Sequence, residues 1–123
     1  MFTVCPYRLQ VAPYIGDPSG VVYQGTPSLR VHLPGTGKPL IRKHNDAEYF
    51  HQPNEINCWM ALTPTFGSNT LWAESTPGRG DFHPFECEEG EGELRLFYGN
   101  QCMHYTLPNH TDTTRVSIDF RGR

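Results

Sequence analysis

The sequence predicts an all-β domain, a jelly-roll barrel. Its 12 glycines and 11 prolines are spread along the chain and separate short runs rich in Val, Ile, Phe, Tyr, Trp and Thr, a pattern typical of short strands joined by turns. Several of these runs alternate between apolar and polar residues, as strands with one buried face do. The sequence contains neither a sustained helical period nor an internal repeat.

About eight segments are predicted to be extended, and that number of short strands suits a jelly-roll barrel. They are residues 29–33, 40–44, 55–62, 71–74, 81–85, 94–98, 101–106 and 115–120. Gly99-Asn100, between the sixth and seventh segments, predicts a two-residue hairpin. Before the first segment, repeated prolines and glycines forbid a long helix, and the acidic run 88–93 is predicted to be a solvated loop.

Length and composition limit the organisation of the chain and its partners. A chain of 123 residues predicts one domain, residues 1–123. The net charge of −3 and the absence of a Lys/Arg run argue against nucleic-acid binding, and no apolar stretch is long enough for a membrane span. The first residues are not expected to form a signal peptide, and the four cysteines form no CxxC pair. We therefore expect free thiols in a reducing, cytoplasmic compartment.

Three residues form a candidate metal site. His44 and Asp46 are two positions apart, so on a strand they point to the same face, and His104 lies on a later predicted strand. Two histidines and one carboxylate are the ligand set of non-haem Fe(II) oxygenases. The alternative is a pair of surface histidines and a turn aspartate. The other histidines are rival ligands or loop residues: His32, His51, His83 and His110.

A candidate anchor for a keto acid follows the second histidine. Arg115 and Ser117 share one face of the last predicted strand. A guanidinium can pair with a carboxylate through two hydrogen bonds, and a hydroxyl can add another. Asn57 is predicted to line the cosubstrate or substrate pocket, or else to belong to an interior hydrogen-bonded network. Arg121, near the chain end, is predicted to be solvated.

Alternation also predicts an apolar outer face on this sheet. If Arg115 and Ser117 point inward, their neighbours point away from the metal. The residues expected to point outward are Ile56, Met60, Leu62, Val116, Ile118 and Phe120. Such a face needs a cover, and no helix is predicted to supply it. We therefore expect that some N-terminal helical support is missing and the domain is N-terminally truncated, or that a homodimer forms through the exposed apolar sheet face.

Much of the chain resembles a known family. The resemblance runs from about residue 23 to residue 121 and is to the 2-oxoglutarate/Fe(II) oxygenases of streptomycin-biosynthesis type, which are distantly like phytanoyl-CoA hydroxylases. The segments that carry it are His44–Asn57, Gly67–Trp72, Phe97–Asn100, His104-Tyr105 and Thr114–Arg121. The resemblance implies a double-stranded β-helix that helices usually precede.

The same resemblance implies the chemistry. It makes His44, Asp46 and His104 the Fe(II) ligands and Arg115 with Ser117 the anchor of 2-oxoglutarate. The implied enzyme is a dioxygenase that uses O2 to hydroxylate or oxidise a small-molecule substrate while 2-oxoglutarate is converted to succinate. A halogenase is disfavoured, because chloride would need the position that Asp46 occupies. The alternative is a non-catalytic cupin-like barrel that binds a metal or small molecule, or an inactive fragment.

Overall fold

The described part of the chain is mostly β. The computed structural model describes residues 11–88 and 93–123, so most of the predicted acidic loop and the first ten residues lie outside it. Within these ranges seven strands form two antiparallel sheets, which confirms the β class predicted from the sequence. The strands are β1 (Ser28–His32), β2 (Ile56–Ala61), β3 (Leu71–Ala73), β4 (His83–Pro84), β5 (Leu94–Phe97), β6 (His104–Thr106) and β7 (Arg115–Gly122).

Helical structure is sparse in the same ranges. One α-helix, α1 (Ala12–Ile15), precedes the strands, and two 3-10 turns cover Asp46–Tyr49 and Gly67–Asn69. The helix ends at Gly16, whose φ of 64° is the left-handed conformation that glycine adopts without strain. No helix in the described residues has both the length and the apolar character needed to cross a membrane.

The sheets bring distant parts of the chain together. In the larger sheet the strand order is β1-β7-β2-β5, and in the smaller one it is β4-β3-β6. The last strand therefore lies between the first two and pairs with both. Neither sheet closes on itself among the described residues, so the predicted barrel is not present as one continuous hydrogen-bonded ladder.

Two details of the predicted topology were wrong. Segment 40–44 is not a regular strand, because the Thr106 hydroxyl accepts from the backbone N–H groups of Leu40 and Ile41 and replaces ladder bonds. The Gly99-Asn100 turn does not form a hairpin, because β5 and β6 belong to different sheets. Its Asn100 side chain instead donates to two carbonyl oxygens of the loop that follows the first 3-10 turn.

The inner face of the larger sheet carries an aromatic and aliphatic core. Trp59, Ala61 and Leu71 are buried together, and Trp59 and Ala61 share a face of β2 with Asn57, because they follow it by two and four positions. The Phe85 ring packs edge-on against Trp59 at 5.8 Å and against Phe97 at 5.3 Å between centroids. Because Phe97 also contacts the His104 ring at 5.2 Å, this core supports the candidate metal site directly.

The outer face of the larger sheet is only partly covered. At one end Val11 packs on Cys58 and Phe120, so Phe120 is buried and not exposed. At the other end Leu29 is 64%, Val31 44% and Leu62 43% exposed. Of the six side chains expected to point outward, Leu62 is thus exposed, Phe120 is covered by residues near α1, and the other four are half-buried.

We expect the purified chain to bind an environment-sensitive apolar dye through this uncovered area. Val31→Lys places a charge there and should lower the dye fluorescence. Phe50→Lys is the matched control, since Phe50 is 96% exposed but follows the first 3-10 turn and is not on the sheet. An equal fall in both variants would show that the dye does not report on this face.

Candidate metal centre

Three side chains place their donor atoms around one point. The donor atoms of His44, Asp46 and His104 all lie within 4.8 Å of one another, and each histidine Nε2 is 3.3 Å from Oδ1 of Asp46. Ligand atoms that share one ion at about 2.1 Å and at right angles lie about 3 Å apart. The structure thus brings together the three residues that the sequence predicted as ligands, in a geometry that suits one divalent cation.

The backbone sets the orientation of both imidazoles. Nδ1 of His44 lies 2.6 Å from the carbonyl oxygen of Arg42, and Nδ1 of His104 lies 3.0 Å from that of Cys102. A carbonyl oxygen only accepts, so each Nδ1 carries a proton and each ring directs Nε2 towards Asp46. A ring nitrogen and a carboxylate oxygen that face each other need a proton or a cation between them. The donor set therefore fits a metal ion.

The second carboxylate oxygen of Asp46 is held from the opposite side. Oδ2 accepts hydrogen bonds from Asn57 Nδ2 at 2.7 Å and from Nε and Nη2 of Arg121 at 3.0 and 2.9 Å. Burial alone would raise the pKa of Asp46, but hydrogen bonds from His104 and Asn57 and the Arg121 charge hold that pKa well below its usual range. Asp46 is thus an anion whose other oxygen, Oδ1, faces the two histidines and can bind a metal ion.

Local sequence explains how Asp46 reaches this position. Asn45 caps the 3-10 turn in a capping box with Glu48, so the chain turns sharply just after His44. The N–H of Asp46 then donates to the Gly99 carbonyl at 2.8 Å. Gly99 must be glycine here, since a Cβ at that position would lie 2.6–2.7 Å from the side-chain atoms of Asn57.

The two histidines lie opposite each other on neighbouring segments. His44 and His104 exchange both backbone hydrogen bonds, at 3.2 and 2.9 Å, and their ring centroids are 4.4 Å apart. One segment is irregular and the other is β6 of the smaller sheet, so the site joins a loop to a sheet edge. This backbone pairing fixes the separation of the two rings before any ion binds.

A cavity of about 570 Å³ opens from the three donors. Its walls carry polar groups, including an ion pair between Arg30 and Asp119 at 2.8 Å, and aromatic groups, including Trp59 and Tyr49. The volume lies within the range of small-molecule sites, and a mixed wall can orient a polar ligand.

The predicted anchor residues lie deeper in the core. Arg115 and Ser117 are both fully buried, and Nη1 of Arg115 donates to the Ser117 hydroxyl at 2.6 Å. The guanidinium carbon is 5.8 Å from the ring centroid of Trp59, which lines the cavity. Burial lowers the pKa of Arg115 to about 10. Asn57, the third predicted binding residue, contacts Asp46 and lines the cavity.

One residue of the site was missed. Arg121 was predicted to be solvated, but its side chain is only 19% exposed and is paired with Asp46. The predicted last strand ended at Phe120, whereas β7 continues to Gly122. Extending the same alternation by two residues would have placed Arg121 on the inner face with Ser117 and Asp119.

The remaining histidines lie outside the three-donor group. His51 lines the cavity and is 3.0 Å from Glu55, as a loop histidine over the site would be. His83 is exposed and lies 3.2 Å from Asp81, and His110 is exposed. His32 is buried beside Arg115, with which it pairs across β1 and β7.

The chain is similar in sequence to a protein of antibiotic biosynthesis. It is 36% identical over 116 residues to the streptomycin biosynthesis protein StrG of Streptomyces griseus, a match that covers 94% of this chain and 53% of that protein. The chain therefore spans about half the length of this relative. No protein-family model matches it.

Solved structures support the fold independently. A complex of the non-heme monooxygenase ThoJ with Ni superposes with a TM-score of 0.66 at 20% identity, over 83% of this chain and 44% of that one. The chain shares the fold of this monooxygenase. EvdMO1 superposes with a TM-score of 0.57 at 19% identity, over 85% of this chain and 27% of that one.

We expect Gly99→Ala to weaken the binding of a divalent metal about 10- to 100-fold, the usual effect of disturbing a group that orients a ligand. The added methyl group would displace the Asn57 amide from Asp46. Gly25→Ala is the matched control, because a Cβ there meets nothing within 4 Å and its backbone is unstrained. Anaerobic calorimetric titration with Fe(II) measures the metal affinity of both variants. Equal affinities would contradict the role given to Asn57.

Proposed function

We propose that the chain is the β-core of a non-haem Fe(II)- and 2-oxoglutarate-dependent dioxygenase that hydroxylates or oxidises a small molecule. The observation that carries the proposal is the three-donor group: two imidazoles oriented through Nδ1 and one carboxylate whose second oxygen is already occupied. The similarity to the streptomycin biosynthesis protein and the shared monooxygenase fold agree with it.

The same proposal extends to the fold. In it, the two sheets are the facing halves of a double-stranded β-helix, and residues 1–123 form one domain. Support comes from the strand orders, which place β7 between β1 and β2 and β3 between β4 and β6. A core of Trp59, Leu71 and Phe85, drawn from both sheets, is what two facing halves require.

Each residue then has a defined role. His44, Asp46 and His104 would hold iron, and Arg121 and Asn57 keep Asp46 ionised and fixed in orientation. When bound, iron with 2-oxoglutarate and O2 supplies the oxidising chemistry, with succinate as the co-product. The chain contributes a site whose ligands need no rearrangement and whose walls carry both polar and aromatic groups.

The cosubstrate assignment rests on the donors of Arg115. Its Nη2 is buried and has no hydrogen-bond partner among the described residues, while Nε and Nη1 donate to the Asn69 carbonyl and Ser117. A buried guanidinium without a carboxylate partner is costly. An incoming carboxylate would satisfy it, so the donor set fits a keto acid with a second carboxylate.

Removal of any one ligand should abolish tight Fe(II) binding. We expect His44→Ala, Asp46→Ala and His104→Ala each to do so, and a double substitution to add little, because the three act as a unit. Anaerobic calorimetry measures the affinity. His110→Ala, at an exposed histidine, should bind like the parent. Unchanged affinity in the His104→Ala protein would refute the site.

Arg115→Lys should weaken 2-oxoglutarate binding about tenfold or more, although the charge is kept, since Lys cannot reproduce the planar fork of donors. Iron affinity should be unchanged, because Arg115 is not a ligand. Arg79→Lys, at a residue whose side chain is 67% exposed, is the control. If Arg115→Lys binds the cosubstrate as the parent does, the anchor lies elsewhere.

Turnover separates an enzyme from a binding protein of the same fold. The iron-loaded chain should convert 2-oxoglutarate to succinate in the presence of O2, and Asp46→Ala should not. Binding of iron and 2-oxoglutarate without succinate formation would indicate a non-catalytic metal-binding barrel.

A further inference from the structure

An ion pair lies on the wall of the cavity at the metal centre, and we call it the wall pair. Its members are Arg30 of β1 and Asp119 of β7, which both line the cavity, and Nε of Arg30 donates to Oδ1 of Asp119 at 2.8 Å. Arg30 lies opposite Ser117 in the register of the two strands, two positions before Asp119. The two side chains are therefore diagonal neighbours on the inner face of the larger sheet.

Both members of the wall pair keep hydrogen-bonding groups that are not in use. Within the described part of the chain neither side chain makes a further hydrogen bond. This leaves Oδ2 of Asp119 and the N–H groups on the Nη atoms of Arg30 available. The two side chains are also accessible, since 38% of the Arg30 side chain and 19% of the Asp119 side chain are exposed. A ligand in the cavity can therefore bind both.

Other polar side chains around the cavity already have partners. Asn57 and Arg121 donate to Oδ2 of Asp46, so they act on the metal ligand. The ring of His51 is 3.0 Å from the carboxylate of Glu55. The wall pair is thus a polar feature of the cavity that still has both a donor and an acceptor to offer.

The charges of the wall pair favour a neutral ligand. An anion would have to compete with Asp119 for Arg30, and a cation would have to compete with Arg30 for Asp119. Arg42 also lines the cavity, but it is exposed, so salt screens its charge. A hydroxyl group both accepts and donates through one oxygen. Two neighbouring hydroxyls can therefore accept from the guanidinium and donate to the carboxylate.

An aromatic ring lies on the side of the cavity that carries the metal ligands. Tyr49 lines the cavity, and its ring meets that of His44 edge-on at 5.0 Å between centroids. Because Tyr49 is 59% exposed, part of its ring surface is free. The apolar C–H groups of a ring-shaped molecule can pack on this surface while its hydroxyls bind the wall pair.

We propose that the substrate is a neutral polyhydroxylated molecule, a sugar or a cyclic polyol, and that Arg30 and Asp119 bind two of its neighbouring hydroxyl groups. The inference deepens the proposed function and rests on it. One hydroxyl accepts from an Nη N–H of Arg30, and the other donates to Oδ2 of Asp119. The wall pair then selects for hydroxyl groups and against a ring of similar size that carries a single charge.

The first test compares rings of matched size by ligand-observed NMR. It uses the full chain without metal, so that a charged probe cannot bind to an ion. The probes are myo-inositol and methyl glucoside as polyols, cyclohexanecarboxylate as the anion and cyclohexylamine as the cation. We expect both polyols to bind, and each charged ring to bind about tenfold more weakly or less. Tighter binding of either charged ring would overturn the inference, as would the absence of polyol binding.

Variants separate recognition from a structural role of the wall pair. Arg30→Gln and Asp119→Asn should each weaken myo-inositol binding about tenfold, because each removes a charged hydrogen-bonding partner. Arg30→Lys keeps the charge beside Asp119 but not the planar set of donors. It should unfold at the temperature of the parent and lose part of the affinity. Arg79→Gln is the matched control, since Arg79 forms an exposed ion pair with Asp81 outside the cavity, and it should bind myo-inositol as the parent does.

A structural role would give a different result. If the wall pair only joins β1 to β7, Arg30→Gln and Asp119→Asn should lower the melting temperature and leave the affinity for myo-inositol unchanged. Unchanged affinity in Arg30→Lys would point to the same conclusion. Either result would overturn the inference.

Failure of this inference can be distinguished from failure of the proposed function. If the iron-loaded chain forms succinate from 2-oxoglutarate but the wall pair does not bind polyols, the substrate class is refuted and the dioxygenase proposal stands. If polyols bind through Arg30 and Asp119 but the iron-loaded chain binds no 2-oxoglutarate, the polyol site stands as a binding site. The dioxygenase proposal, and with it the role of the polyol as its substrate, is then refuted.

Discussion

The carboxylate of Asp46 is the group around which the structure is arranged. It is buried and ionised, so each of its oxygens must be satisfied. Asn57 of β2 and Arg121 of β7 bind one oxygen, and both histidines face the other. The larger sheet thus binds Oδ2 of Asp46 and leaves Oδ1 to bind the proposed ion. Loss of this carboxylate would leave Arg121 unpaired and the two imidazoles without their shared partner.

The site depends on both sheets, although no strand within residues 11–88 and 93–123 belongs to both. His104 belongs to β6 of the smaller sheet, while the groups that hold Asp46 belong to β2 and β7 of the larger one. The turn at Gly99 bridges them, because it leaves β5 and binds the backbone of Asp46. An ion at this position would therefore link the two sheets, and metal binding should be coupled to their relative packing.

Much of the fold and of the candidate site could be predicted from local sequence patterns. The features that could not be predicted depend on contacts between residues far apart in the sequence. Strand alternation placed Asn57, Arg115 and Ser117 on inner faces because a period of two is a local property. The pairing of His32 with Arg115 could not be read in this way, since register joins residues far apart in sequence. The Gly99-Asn100 turn was misinterpreted for a similar reason: the contacts of Asn100 with the loop at His51 outweigh the local hairpin preference.

The hydrogen bonds that orient the two imidazoles affect which metal ion the protein binds. Rings already oriented by the carbonyls of Arg42 and Cys102 give up little conformational freedom when an ion arrives. Nitrogen and oxygen donors in general bind divalent ions in an order of affinity in which nickel and copper exceed iron. Under the proposed function, iron would be bound in the cell because of its supply, and protein isolated in the presence of nickel or copper would retain one of those ions instead.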